Sequence, residues 1–181
     1  MNRSFRAHAV APLAVLSAAF VAAPALRAQA GTQQPIQWSV TGAAQFYDIV
    51  GISDGGHALS LTRSVDVVGS ANQFGAAAAS MNAEPYRGRR VRVHALIRTD
   101  SATAGGTTWL RIDGESGMLV LENNMSRKLT GTTGWTEQVT TLDVPMSATR
   151  IVYGLILRGS GTVHAKDVSV ENIAPPAPGA P

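Results

Sequence analysis

Two short runs hold the side chains best suited to chemistry. In Thr108-Trp109-Leu110-Arg111-Ile112-Asp113, an aromatic, a guanidinium and a carboxylate recur at every second position. In an extended strand that spacing puts all three on one face, with Leu110 and Ile112 on the other. The second run is Asn123-Asn124-Met125-Ser126-Arg127. If the strand between the runs pairs antiparallel, this loop returns polar groups to the Trp109 end of the sheet. Trp109, Arg111 and Arg127 then form the heart of a candidate ligand site, with Asn123 and Asn124 lending amide donors and acceptors. An aromatic plate ringed by guanidiniums suits stacking on a sugar and bidentate contact with an anion. The competing reading is a solvated face whose arginine stems cover the ring, with the two asparagines shaping the turn. Arg90, Arg92, His94 and Arg98 extend the polar face if their strand neighbours that of Trp109. Trp135 follows a Gly-Thr-Thr-Gly turn and is expected to be a structural tryptophan, leaving Trp109 as the functional one.

Catalytic patterns are absent. The sequence has no Gly-x-Ser-x-Gly elbow, no His-Glu-x-x-His helix and no phosphate loop ending in Lys and Ser or Thr. It has no cysteine, which excludes thiol catalysis, Cys-based zinc sites and iron–sulfur clusters. His57, His94 and His164 are scattered singly, unlike a metal-ligand cluster. Asp113 with Glu115 or Glu122 could approach as a carboxylate pair, but nothing places them across a cleft as a glycosidase requires. The expectation is a protein without catalysis, metal or cofactor.

The elements that must position these residues read as strands throughout. Residues 89–98 alternate Val91, Val93, Ala95 and Ile97 with mostly polar neighbours, and 107–113 do the same. Residues 118–123 follow across the Glu115-Ser116-Gly117 turn. Further runs at 45–52, 57–65, 138–144, 150–157 and 162–173 complete eight or more strands at sandwich spacing. Gly159-Ser160-Gly161 looks like the turn of the last hairpin. Residues 74–81 are ambiguous, because Ala76-Ala77-Ala78-Ala79 favours helix. Gly75 before and Pro85 after leave too short a stretch for a stable helix, and a buried strand of small side chains is expected.

The N-terminus has its own signature. Arg3 and Arg6 precede an apolar run ending in Ala28-Gln29-Ala30, the pattern of a signal peptide cleaved after Ala30. Pro12, Pro24 and that ending argue against a retained membrane anchor. Arg3, Arg6 and Arg27 are the charged residues of 1–30, so their removal from fifteen basic residues leaves twelve against twelve acidic ones. The basic excess therefore belongs to the precursor, and a nucleic-acid binder loses its electrostatic support. The expected layout is a signal peptide at 1–30, a polar lead at 31–35, one domain at 36–173 and a Pro/Ala-rich disordered tail at 174–181. The mature protein is expected in the periplasm or secreted, with no membrane span after cleavage.

Longer motifs carry a resemblance. Tyr86-Arg87-Gly88-Arg89-Arg90-Val91-Arg92 is followed by Thr108-Trp109-Leu110-Arg111-Ile112-Asp113-Gly114 and by Asn123-Asn124-Met125-Ser126-Arg127. Gly131-Thr132-Thr133-Gly134-Trp135, Leu142-Asp143-Val144-Pro145 and the run from Tyr153 to Val163 complete the order. Across residues 36–173 this resembles the galactose-binding-like jelly-roll module that accompanies some bacterial tail-specific-protease-like serine peptidases and regulators. The resemblance implies an all-β, jelly-roll β-sandwich of two antiparallel sheets that binds or positions without catalysis. Where the family pattern has Asp-Asn-Met this chain has Asn123-Asn124-Met125, and where it has paired acids this chain has His164-Ala165-Lys166-Asp167. Those changes remove carboxylates that a calcium ion would want. Because the chain ends eight residues after Ile173, whatever the module serves is expected to be another molecule. The leading expectation is an exported binding module for a carbohydrate or other small polar ligand. The alternative is a protein-interaction or scaffold domain docking on an exported enzyme.

Overall fold

A computed structural model describes residues 35–63 and 73–173. Among them are eleven strands, several 3-10 turns and no α-helix. The strands are β1 (Ser39–Gly42), β2 (Tyr47–Ser53), β3 (Ala58–Arg63), β4 (Phe74–Asn82), β5 (Arg90–Asp100) and β6 (Ala102–Gly114), then β7 (Gly117–Glu122), β8 (Leu129–Gly131), β9 (Thr136–Asp143), β10 (Ala148–Arg158) and β11 (Thr162–Ile173). Sheet 1 runs β1-β4-β10-β6-β7, with β8 also pairing β6; sheet 2 runs β2-β3-β11-β5-β9. Every pairing is antiparallel. The fold is an all-β jelly-roll sandwich. The expected signal peptide, most of the expected polar lead, the Pro/Ala-rich tail and the end of the 57–65 run lie outside the described residues.

The alternating sequence explains the core. Val91, Val93, Ala95 and Ile97 of β5 are buried, and Leu110 and Ile112 of β6 meet them from sheet 1. Leu59, Leu61, Ile151, Leu155, Leu157 and Val163 complete the interior. Each such side chain contributes roughly 1.5–3 kcal/mol on burial. The polyalanine run is a strand, β4, between β1 and β10. That position gives its backbone a ladder on both sides, which outweighs alanine's helix preference. Gly75 is required here, since a Cβ would lie 2.3 Å from the ring of buried Tyr47.

Two expectations about neighbours are corrected. β5 and β6 are consecutive but lie in different sheets, joined through Ser101 in the left-handed region at φ 52°. Likewise Gly159-Ser160-Gly161 is not a hairpin turn: it carries the chain from β10 in sheet 1 to β11 in sheet 2. The two crossings abut, with Thr103 N donating to Ser160 O at 3.0 Å. Gly161 has φ 102° and would place a Cβ 2.5 Å from Ser101 O. Both strands of such a crossing turn their apolar face to the same core, as both strands of a hairpin do. Alternation alone does not separate the two.

Candidate functional site

The outer face of sheet 1 carries a groove of about 430 Å³. Parity along three adjacent strands builds it. Phe74, Ala76 and Ala78 of β4, Val152, Ile156 and Arg158 of β10, and Trp109 and Arg111 of β6 all point away from the sandwich core. Register sets Arg158 opposite Phe74, and Gly154 opposite both Ala78 and Trp109. The small residues leave the space that the indole fills. Trp109 packs with Ala76, Ala78, Val152, Ile156 and Met125, and its Nε1 donates to the carbonyls of Ala77 and Leu155 at 3.3 and 3.2 Å. Only 7% of Trp109 is exposed, so it is the floor of a groove and not the projecting plate expected from the sequence.

Each end of the groove has an arginine over an aromatic ring. The Arg111 guanidinium carbon is 5.8 Å from the Trp109 centroid, and that of Arg158 is 5.7 Å from the Phe74 centroid. Arg111 is also tied to its own strand, with Nε 2.8 Å from Asp113 Oδ1. The other oxygen of Asp113 accepts from Arg150 at 2.8 Å. The Arg158 side chain has no hydrogen bond or ion pair among the described residues. Met118 and Leu121 of edge strand β7 add apolar wall, and Thr41 and Asn123 add polar rim.

Of the five residues singled out in the sequence, Trp109, Arg111 and Asn123 share this groove. Asn124 does not line it. Its backbone is left-handed at φ 50°, and its side chain is buried, with Nδ2 donating to Thr108 Oγ1 and Gln138 Oε1. Arg127 is exposed and also outside the groove lining. What holds this loop is Gln138. β7 leaves β6 at the Leu110–Glu122 pair and β8 rejoins it at Gly106–Leu129, so residues 107–109 have no strand partner on that side. Gln138 fills the gap: Thr108 N and Thr107 Oγ1 donate to its Oε1 at 3.1 and 2.7 Å, and its Nε2 donates to Arg127 O at 2.6 Å. The excursion that Gln138 closes is the one that delivers Asn123 to the rim. Sequence reading missed Phe74 and Arg158. Arg158 keeps the phase of Val152 and Ile156, but its pairing with Phe74 is visible only from the register.

The expected arginine row lies elsewhere. Arg90, Arg92, His94 and Arg98 are on β5 and therefore on the outer face of sheet 2, across the sandwich from Trp109. Each has a carboxylate neighbour there: Asp143, Glu171, Glu137 and Asp100. The Arg90 hydrogen bond holds the Asp143 carboxyl below its ordinary range, and the His164 hydrogen bond does the same for Asp100. Trp135 is also on this side and is 45% exposed, with Lys166 Nζ 4.7 Å and the Arg98 guanidinium carbon 5.5 Å from its centroid. Its expected role as a core tryptophan is thus corrected. The turn before it is pinned instead by threonines: Thr132 and Thr133 Oγ1 accept from the amides of Ser101 and Thr99. Ser60, His164 and Asp100 form a hydroxyl–imidazole–carboxylate row with both contacts at 2.8 Å. Ser60 sits mid-strand, paired on both sides, so its surroundings offer no free amides aimed at an oxyanion. Among the described residues no group of three His, Asp or Glu side chains is placed to hold a metal ion.

No protein-family model matches the chain. An uncharacterized HTH-type transcriptional regulator, YbfP of Bacillus subtilis (strain 168), is 29% identical over 141 residues, which cover 75% of this chain and 48% of that protein. The chain thus spans about half the length of the curated relative it matches. Among solved structures, the enzymatically active domain of Bacteriophage CBA120 tailspike protein 4 is 13% identical, with a TM-score of 0.51 over 77% of this chain and 19% of that one. A CBM4 structure is 13% identical at TM-score 0.48, covering 78% of this chain and 90% of that one. TmCBM61 in complex with beta-1,4-galactotriose is 12% identical at TM-score 0.47, covering 78% and 97%. At such identities the likeness to the tailspike is one of fold.

Proposed function

We propose that this domain is a non-catalytic binding module that takes a carbohydrate or other small polar ligand in the groove over Trp109. The observation that carries the reading is the composition of that groove. An apolar and aromatic floor of Trp109, Phe74, Ile156 and Met118 is combined with a few polar groups, Arg111, Arg158, Asn123 and Thr41. Apolar surface accepts the C–H face of a sugar ring while the polar groups fix its orientation. Export after cleavage at Ala30 to the periplasm or beyond belongs to the same proposal, and mass spectrometry of the exported protein would find Gly31 first.

Chemical-shift mapping of the labelled protein against an oligosaccharide panel tests the groove. Shifts are expected at Trp109, Asn123 and Arg158, and Phe74→Ala is expected to weaken binding with little change in melting temperature. A panel that leaves these resonances unmoved would defeat the reading. The second reading, docking on a protein partner, is favoured by one feature. Met118, Leu119 and Leu121 are exposed on edge strand β7, where apolar side chains and unpaired backbone can receive another chain. Recovery of a stoichiometric partner that is lost on Leu119→Lys would favour it.

A further inference from the structure

The charge in the groove is unbalanced, and this indicates what kind of ligand it takes. None of the residues lining the groove is Asp or Glu. At one end Asp113 is shared between two guanidiniums, those of Arg111 and Arg150. At the other end Arg158 has no carboxylate among the described residues, and its buried Nε has no hydrogen-bond partner.

The aromatic rings sharpen the point. A guanidinium over a ring is held by its face and keeps its in-plane N–H edge available. Arg158 over Phe74 therefore presents its guanidinium at the groove, with no carboxylate among the described residues to occupy it. Two N–H groups in that plane match the two oxygens of a carboxylate, and the apolar floor between the arginines is left for a ring. Arg158 stands opposite Gly105 and thus six residues from Arg111 in register. That is roughly 20 Å of strand, enough for more than one sugar. Resting on the carbohydrate reading above, we infer that the groove selects acidic saccharides, with Arg158 receiving the carboxylate of a uronate ring.

Calorimetric titration of the purified full chain with trigalacturonate and with its methyl-esterified, uncharged counterpart tests this. Trigalacturonate is expected to bind about tenfold or more tightly at low salt. Arg158→Met keeps a flexible stem over Phe74 and removes the charge, and it is expected to erase most of that difference without changing the melting temperature. Arg158→Lys, which restores charge without the fork, is expected to recover part of it. Equal affinity for acid and ester would overturn the selectivity while leaving the groove reading intact. A preference that survives Arg158→Met would overturn the assignment to this residue. Binding of neither probe would overturn the selectivity and count against the groove reading as well. Preference for a sulfated trisaccharide over trigalacturonate would overturn the carboxylate as the recognised group.

Discussion

Arg111 and Asp113 stand two residues apart on one face of β6, and the Arg111 Nε lies 2.8 Å from the carboxylate of Asp113. The carboxylate is buried, while Arg111 is only partly so and Arg150 is exposed. One buried acid therefore orients two cations at the mouth of the groove. Asp113→Asn is expected to cost roughly 1–3 kcal/mol, because the amide carries no negative charge and would turn its Nδ2 donor toward the Arg111 Nε. Denaturant unfolding would measure it, and a variant as stable as the parent would show that the pair is ornamental.

The tryptophans provide a sharper contrast. Trp109 is packed among alanines, valine and isoleucine with both backbone bonds made, so Trp109→Ala is expected to lose about 3–5 kcal/mol. Trp135 is 45% exposed with two cations over its ring, and Trp135→Ala is expected to stay within about 1 kcal/mol of the parent. Paired thermal melts decide it, and the reverse order of stabilities would refute the burial assignment.

Gln138 replaces a missing strand partner of β6 and anchors the 123–128 excursion. Gln138→Leu keeps approximate volume but leaves Thr108 N and Arg127 O unpaired, an expected loss of roughly 1–3 kcal/mol. Amide exchange should quicken at Met125, Arg127 and Lys128 beyond what global unfolding explains. Unchanged protection there would mean that the loop is held by other contacts.

Acid stability follows from Asp143. Its folded-state carboxyl is depressed by the hydrogen bond from Arg90, so its contribution is present above the ordinary carboxylate pKa of about 3.9. That contribution is lost as pH falls through the lower folded value. Asp143→Asn is expected to lower stability slightly above about pH 4, as befits an exposed pair, and to converge with the parent as pH falls further, which flattens the acid limb. An identical acid limb in both proteins would show that the pair does not persist in solution.

Strand identity and facing were legible from the residues themselves. The alternation of Val91, Val93, Ala95 and Ile97, and of Leu110 and Ile112 with Trp109 and Arg111, follows from a two-residue period that needs no tertiary information. Even the polyalanine strand could be read from its flanking Gly75 and Pro85. Which strands became neighbours could not be read locally. A hairpin and a crossing between sheets both turn their apolar faces to one core, so Gly159-Ser160-Gly161 and Ser101 carried no local mark of the crossings they make. For the same reason the sequence leaves open whether the arginines of β5 share the face of Trp109, and the structure places a whole sandwich between them. Burial of Trp109 depended on Ala76 and Ala78 arriving from β4, distant in sequence, and the pairing of Arg158 with Phe74 depended on the β10–β4 register. Local periodicity sets which way a side chain points; only the packing of distant strands decides what it meets.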